Sequence, residues 1–161
     1  MKSEHLNCAI SGAISACFTH FIVVPLDVIK TTMQIHPNKF SSNEAKTLLV
    51  QKYGAINGLS FGLAATNYGY FIQGAIKYGL FDINVNSTFA HIKSPFLKHL
   101  VSASLAELVA DVFLTPFEEA RIRQVVLMRK MSTIYCIKEI AKESGIRGLY
   151  SGLLPLVLRQ V

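Results

Sequence analysis

Residues 6–24 form a run of 19 positions without an Asp, Glu, Lys or Arg, and His20 is the only residue in it that can carry a positive charge near neutral pH. A helix of that length, at about 1.5 Å per residue, covers most of a bilayer hydrocarbon core of roughly 30 Å. A helix apolar on every side has no face to offer water, so it needs a protein core or lipid around it. Three more apolar stretches follow. Leu59 to Leu80 carries Lys77 as its one charge, Phe96 to Leu114 contains Lys98, His99, Glu107 and Asp111, and a fourth starts at Leu149 and runs to Val161. Charged residues make up 16% of the chain, against about 25% in a soluble domain, and hydrophobic residues 51%. Ten Phe and six Tyr exclude a disordered polar chain. Small residues recur at helical spacing (Gly12 and Ala16, Ala9 and Ala13, Ala103 and Ala106), as they do where membrane helices approach closely. These features point to an all-α membrane protein. An Ala-rich buried helix is the competing reading of the first stretch. A cleavable signal peptide fits poorly, because Pro25-Leu26-Asp27 stands where small residues should precede the cut.

The stretches are organised as a repeat. Pro25-Leu26-Asp27-Val28-Ile29-Lys30 follows the first, and Pro116-Phe117-Glu118-Glu119-Ala120-Arg121 follows the third, with the prolines 91 positions apart. Gly58 and Gly62 are answered by Gly148 and Gly152, each pair 90 apart. Each unit reads as a spanning helix, a Pro-acid-base turn, a short amphipathic helix (Ala45, Leu48, Leu49; Ile134, Ile137, Ile140, Ala141), a Gly-rich corner and a second spanning helix. The first unit covers 1–90 and the second 91–161, incomplete in its fourth spanning helix, with a third unit absent. Proline inside a helix removes a backbone hydrogen bond and kinks it, and acid and base three residues apart share a helix face. Kinked ends brought together would let an acid of one unit pair with a base of the next and close one mouth of a central cavity. Repeated units with a site between them are common in transporters.

The signature Pro-x-acid-x-x-base-x-base-x-Gln, followed by a Gly-rich segment, resembles that of the mitochondrial carrier family. The first copy matches at Pro25, Asp27, Lys30 and Gln34, with Thr32 in place of a base; the second matches at Pro116, Glu118, Arg121 and Arg123, with Val125 in place of Gln. Within the family the likeness is to its phosphate-transporting members. It rests on Thr19-His20, Gly69-Tyr70-Phe71-Ile72-Gln73-Gly74 with Lys77-Tyr78-Gly79, Ser102-Ala103-Ser104-Leu105-Ala106-Glu107 with Ala110-Asp111, and Pro155-Leu156-Val157-Leu158-Arg159-Gln160. The resemblance implies proton-coupled transport of inorganic phosphate by alternating access, in the mitochondrial inner membrane. It also implies contact with membrane lipid, cardiolipin included.

An ionisable group inside a span is costly and a functional candidate by default, which singles out His20, Glu107, Asp111 and Lys77. The imidazole of His20 suits proton exchange, or else it is a neutral partner of a neighbouring helix. Glu107 and Asp111 share one face of the third span; two carboxylates facing one cavity disfavour double ionisation, although either could simply pair with Lys77 or Lys98. The likeness places Glu107 and Glu118 in the proton path and Lys77 at the substrate, with Gln73 and Gly74 as neighbouring contacts; a snorkelling Lys77 is the alternative. Arg159 offers the fork that suits phosphate. Asp27, Lys30, Glu118 and Arg121 read as gate charges; by family analogy Asp27 pairs with Arg121, and Lys30 and Glu118 await a third unit. Phe81-Asp82 resembles the start of an opposite gate, with Val85 where its base should be.

Nothing points to an enzyme. No phosphate loop follows the glycines at 54, 58 and 62, no helical His pair suits a metal, and no cofactor motif is present. Three irregularly spaced Cys suggest neither disulfides nor zinc. The net charge of +6 and the basic residues Arg121, Arg123, Arg129 and Lys130 suit lipid or an anionic solute better than nucleic acid. A helical membrane protein that keeps the repeat without transporting, or a carrier of another small anion, are the alternatives.

Overall fold

The computed structural model describes residues 2–35 and 41–160; the start of the polar segment after the first span, 36–40, lies outside the described residues. Among the described residues seven α-helices follow one another: α1 (Lys2–Ile35), α2 (Ser42–Tyr53), α3 (Ala55–Gly58), α4 (Leu63–Ile83), α5 (Pro95–Val126), α6 (Thr133–Leu149) and α7 (Leu153–Gln160), with a π-helical turn at Asn84–Thr88 after α4. Among the described residues there is no strand.

The two signature prolines sit inside α1 and α5 rather than at their ends. Each helix runs about ten residues beyond its proline. Packing keeps them going. Val28 and Ile29 past Pro25, and Ala120 and Val125 past Pro116, are buried, so the turns after each proline gain more from the core than the lost backbone bond costs. Starts and stops have local causes. Ser94 Oγ accepts the Leu97 N–H at 3.5 Å, with Pro95 next to it, at the head of α5, and the Glu44 carboxylate accepts the Ser41 N–H at 2.7 Å at the head of α2. Gly54 ends α2 with φ +82°, and Gly145 breaks α6 with φ +67°. The two glycines are 91 positions apart, and a Cβ on either would meet no atom within 4 Å. The backbone angle, rather than space, demands glycine there.

Helix α4 packs against α1 on one side and α5 on the other, and α5 also carries α6 and α7. Gly74 lets α1 and α4 touch. A Cβ there would lie 2.6 Å from the Gly12 carbonyl oxygen and 2.9 Å from Ala16 Cβ. Below that crossing, Val24, Val28 and Ile29 of α1 pack with Ala45 and Leu49 of α2, Phe61 and Val125. A second cluster joins Ala65, Ala120, Cys136 and Ile140. Burial pushes the Cys136 thiol above its ordinary pKa, so it stays protonated, with its Sγ 3.5 Å from the Ala120 carbonyl oxygen.

The distribution of polarity is inverted relative to a protein in water. Leu6, Ile10, Ile14, Phe18, Ile22 and Leu26 make an exposed stripe on α1, and Phe96, Leu100, Leu108, Val112 and Phe113 do the same on α5. Gln73, Glu107, Asp111, Thr115, Arg121 and Gln124 are buried between helices. By length and composition, α5 and the His5–Ile35 part of α1 can each cross a bilayer. An apolar exterior of this extent around a polar interior fits lipid.

Because Gly74 is the crossing point, Gly74→Val should lower the thermal stability of the detergent-solubilised protein by about 3 kcal/mol, the upper range for overpacking. Ala64→Val, on an exposed position of the same helix, should stay within about 0.5 kcal/mol.

Candidate functional site

Between α1, α4, α5 and α7 lies a cavity of about 510 Å³. Its side chains arrive by helical spacing: Tyr70, Gln73 and Lys77 share one face of α4, and Glu107, Glu118 and Arg121 come from one side of α5, with Asp111 fully buried one turn past Glu107. Two layers of charge can be distinguished.

The first layer is at the signature end. Arg121 Nη2 is 2.9 Å from Asp27 Oδ2 on α1, and Arg121 Nη1 is 3.1 Å from Glu118 Oε2 on its own helix. The Tyr70 hydroxyl donates to Glu118 Oε1 at 2.6 Å. The ring of His20 stacks on that of Tyr70, centroids 3.3 Å apart and planes 10° apart. Asp27 and Arg121 thus meet across the two repeats. Within these two units Glu118 has partners at the α4–α5 contact, Tyr70 on Oε1 and Arg121 on Oε2. Lys30 and Gln34 border the same cavity.

The second layer is one to two turns away. Lys77 forms an ion pair with Glu107, whose side chain is only 8% exposed. Gln73 Nε2 donates to Glu107 Oε1 at 3.2 Å and to Asp111 Oδ1 at 3.4 Å. In the orientation that satisfies its neighbours, the Gln160 amide donates to Asp111 Oδ1 at 2.6 Å and to Glu107 Oε1 at 2.5 Å. Two buried acids therefore share two amides and one ammonium, and Asp111 Oδ2 has no partner among the described residues. Arg159 borders the cavity from α7.

Gly74 does not join them. One residue past Gln73, it is rotated by about 100° about the helix axis, which turns it toward α1 and makes it a packing position instead of a cavity contact. Tyr70 and Gln160 are the cavity residues that reasoning on charge passed over. Tyr70 could have been found from its place three residues before Gln73 and seven before Lys77. At the other end of α4, Asp82 Oδ2 lies 2.5 Å from His5 Nδ1, and Asn86 Nδ2 donates to Asp82 Oδ1 at 2.7 Å. The acid before Val85 has found its partner on α1.

The signature departures have structural counterparts. Arg123 reaches Glu143 at 2.6 Å and Glu139 at 3.8 Å, binding α5 to α6 by charge. Ninety-one positions earlier stand Thr32, Lys52 and Leu48. Thr32 is fully buried and its hydroxyl donates to the Val28 carbonyl at 2.8 Å, so α1 meets α2 through the apolar cluster instead. Base and acids are missing together. Val125, in the place of a Gln, is 1% exposed in that same cluster, whereas Gln34 faces the cavity.

Helices that are apolar outward and ion-paired inward, arranged as two proline-containing units around a polar cavity, make the architecture of a membrane-embedded helical repeat protein. The chain belongs to the mitochondrial carrier protein family, whose model matches residues 2–89 and 92–161. It is 34% identical to mitochondrial substrate carrier family protein N of Dictyostelium discoideum, over 99% of this chain and 55% of that one. It is 35% identical to mitochondrial phosphate carrier protein 2 of Arabidopsis thaliana, over 96% of this chain and 44% of that one. Solute carrier family 25 member 3 of Bos taurus is 31% identical, over 96% of this chain and 44% of its own length. The chain spans about half the length of the curated relatives it matches.

Removing Arg121 would leave Asp27 and Glu118 as partly buried carboxylates without their cation. Arg121→Ala should therefore cost about 3 kcal/mol in thermal unfolding, and combining it with Asp27→Asn and Glu118→Gln should recover part of that loss.

Proposed function

We propose that the protein carries inorganic phosphate together with a proton across the mitochondrial inner membrane by alternating access, with 1–90 and 91–161 acting as two carrier repeats. The observation that carries this reading is the shared occupancy of the cavity: a Lys ammonium already held by a carboxylate, with a second carboxylate beside it. Phosphate needs cations, and Lys77 and Arg159 approach the cavity from α4 and α7. With Glu107 ionised, Lys77 is engaged. A proton taken up by the Glu107–Asp111 pair weakens that engagement and frees the ammonium for the anion, so uptake of proton and anion favour each other. Gln73 orients the two acids. His20, stacked on Tyr70 at the signature end, accepts or passes a proton on the way to them, and Glu118, bonded to the same tyrosine, belongs to the same path. Asp27, Lys30, Glu118 and Arg121 form the gate charges at the signature end. Relatives named as phosphate carriers support the choice of substrate.

The test is reconstitution in liposomes with a pH gradient, following labelled phosphate. Uptake should follow the gradient. Lys77→Gln should reduce it about 10- to 100-fold, the loss of a hydrogen bond to a charged group. Glu107→Gln should leave phosphate exchange measurable but indifferent to the gradient. Gradient-independent uptake by the unmodified protein would sink proton coupling, and phosphate binding without uptake would favour a membrane protein that does not transport.

A further inference from the structure

Tyr70 stands where three helices meet. Its ring belongs to α4, its face is stacked on His20 of α1, and its hydroxyl is bonded to Glu118 of α5. It is 5% exposed and packs with Leu114 and Leu156. The guanidinium it faces has two claimants. Arg121 gives Nη2 to Asp27 across the repeats and Nη1 to Glu118 one turn earlier on its own helix. A carboxylate three residues away on the same helix is the easier partner to reach, and a carboxylate with both oxygens available takes a guanidinium side-on through two parallel bonds. Glu118 does not do so. Its Oε1 accepts the Tyr70 hydroxyl at 2.6 Å, and its two oxygens share a single nitrogen of the guanidinium, Arg121 Nη1, at 3.4 Å from Oε1 and 3.1 Å from Oε2, which leaves Nη2 to Asp27.

We propose that Tyr70 is a positioning residue of the gate: by holding one oxygen of Glu118 it keeps that carboxylate from capturing Arg121 and leaves the guanidinium turned toward Asp27. The gate between the repeats then depends on a neutral hydroxyl as well as on its charges. Without the hydroxyl, Glu118 turns both oxygens to Arg121 and the Asp27 contact loosens. The proposal rests on reading Asp27–Arg121 as a gate.

The full chain in liposomes, with Cys8, Cys17 and Cys136 replaced by alanine, can carry spin labels at Leu26→Cys and Val126→Cys. Both positions are exposed and flank the pair, at 67% and 46%. A pulsed electron-spin distance measurement should give one short distance in the parent. In Tyr70→Phe, which keeps the stacked ring, the ratio of short to long distances should fall roughly tenfold, the effect of losing one hydrogen bond to a charged group. Adding Glu118→Gln removes the competitor and should restore the parent distribution. A loss of packing would not be repaired in that way. A distribution unchanged in Tyr70→Phe, or one left broad after Glu118→Gln is added, overturns the proposal, as does failure of both variants to fold. Asp27→Asn serves as the reference: if it leaves the short distance intact, the gate reading itself fails and the assignment of Tyr70 falls with it.

Discussion

One guanidinium connects the halves of this molecule. Arg121 on α5 pairs with Asp27 on α1 and with Glu118 on its own helix, partly buried, where an unpaired charge is costly. The position is possible because the outer surfaces of α1 and α5 are apolar. Lipid outside drives polar groups to face one another, and many of them do so at the cavity between α1, α4, α5 and α7. Close approach of α1 and α4 at Gly74, and the passage of both long helices beyond their prolines, bring Asp27 and Arg121 within reach of each other.

The two repeats reach the same architecture through different chemistry. In the second, α5 holds α6 by Arg123 with Glu139 and Glu143; in the first, α1 holds α2 by Val28, Ile29, Ala45 and Leu49 over a buried Thr32. What persists is the backbone. Gly54 and Gly145 take up positive φ at corresponding places, where the chain leaves a short amphipathic helix and turns toward the next span. A conformation that side chains avoid is harder to replace than an ion pair that an apolar contact can substitute.

The cavity has the same economy. Asp27, Lys77, Glu107, Glu118 and Arg121 each have a charged partner on another helix or on the adjacent turn, and neutral groups complete the network: Gln73 and Gln160 around Glu107 and Asp111, the Tyr70 hydroxyl on Glu118. Such a network is sensitive to the arrival of one proton or one anion, because either changes which bonds are best satisfied.

Much of this was legible in the sequence. Long uncharged runs, the paired Pro-acid-base turns and the glycines at matching intervals announce an all-α membrane protein built from repeats, because hydropathy and helical periodicity are properties of neighbours along the chain. The same periodicity placed Gln73 and Lys77, and Glu107 and Asp111, on common faces. It did not tell which way those faces turn. That Gly74 packs on α1 instead of lining the cavity, that Tyr70 holds Glu118, that His5 meets Asp82 and that Gln160 reaches the paired acids are contacts across 48 to 77 positions of chain. Helix rotation and crossing decide them, and these are set by how small residues let two backbones touch. The sequence by itself determined the helices and the inventory of charges; the tertiary structure decided which charges are paired, since an ion pair between helices exists only where their axes come close.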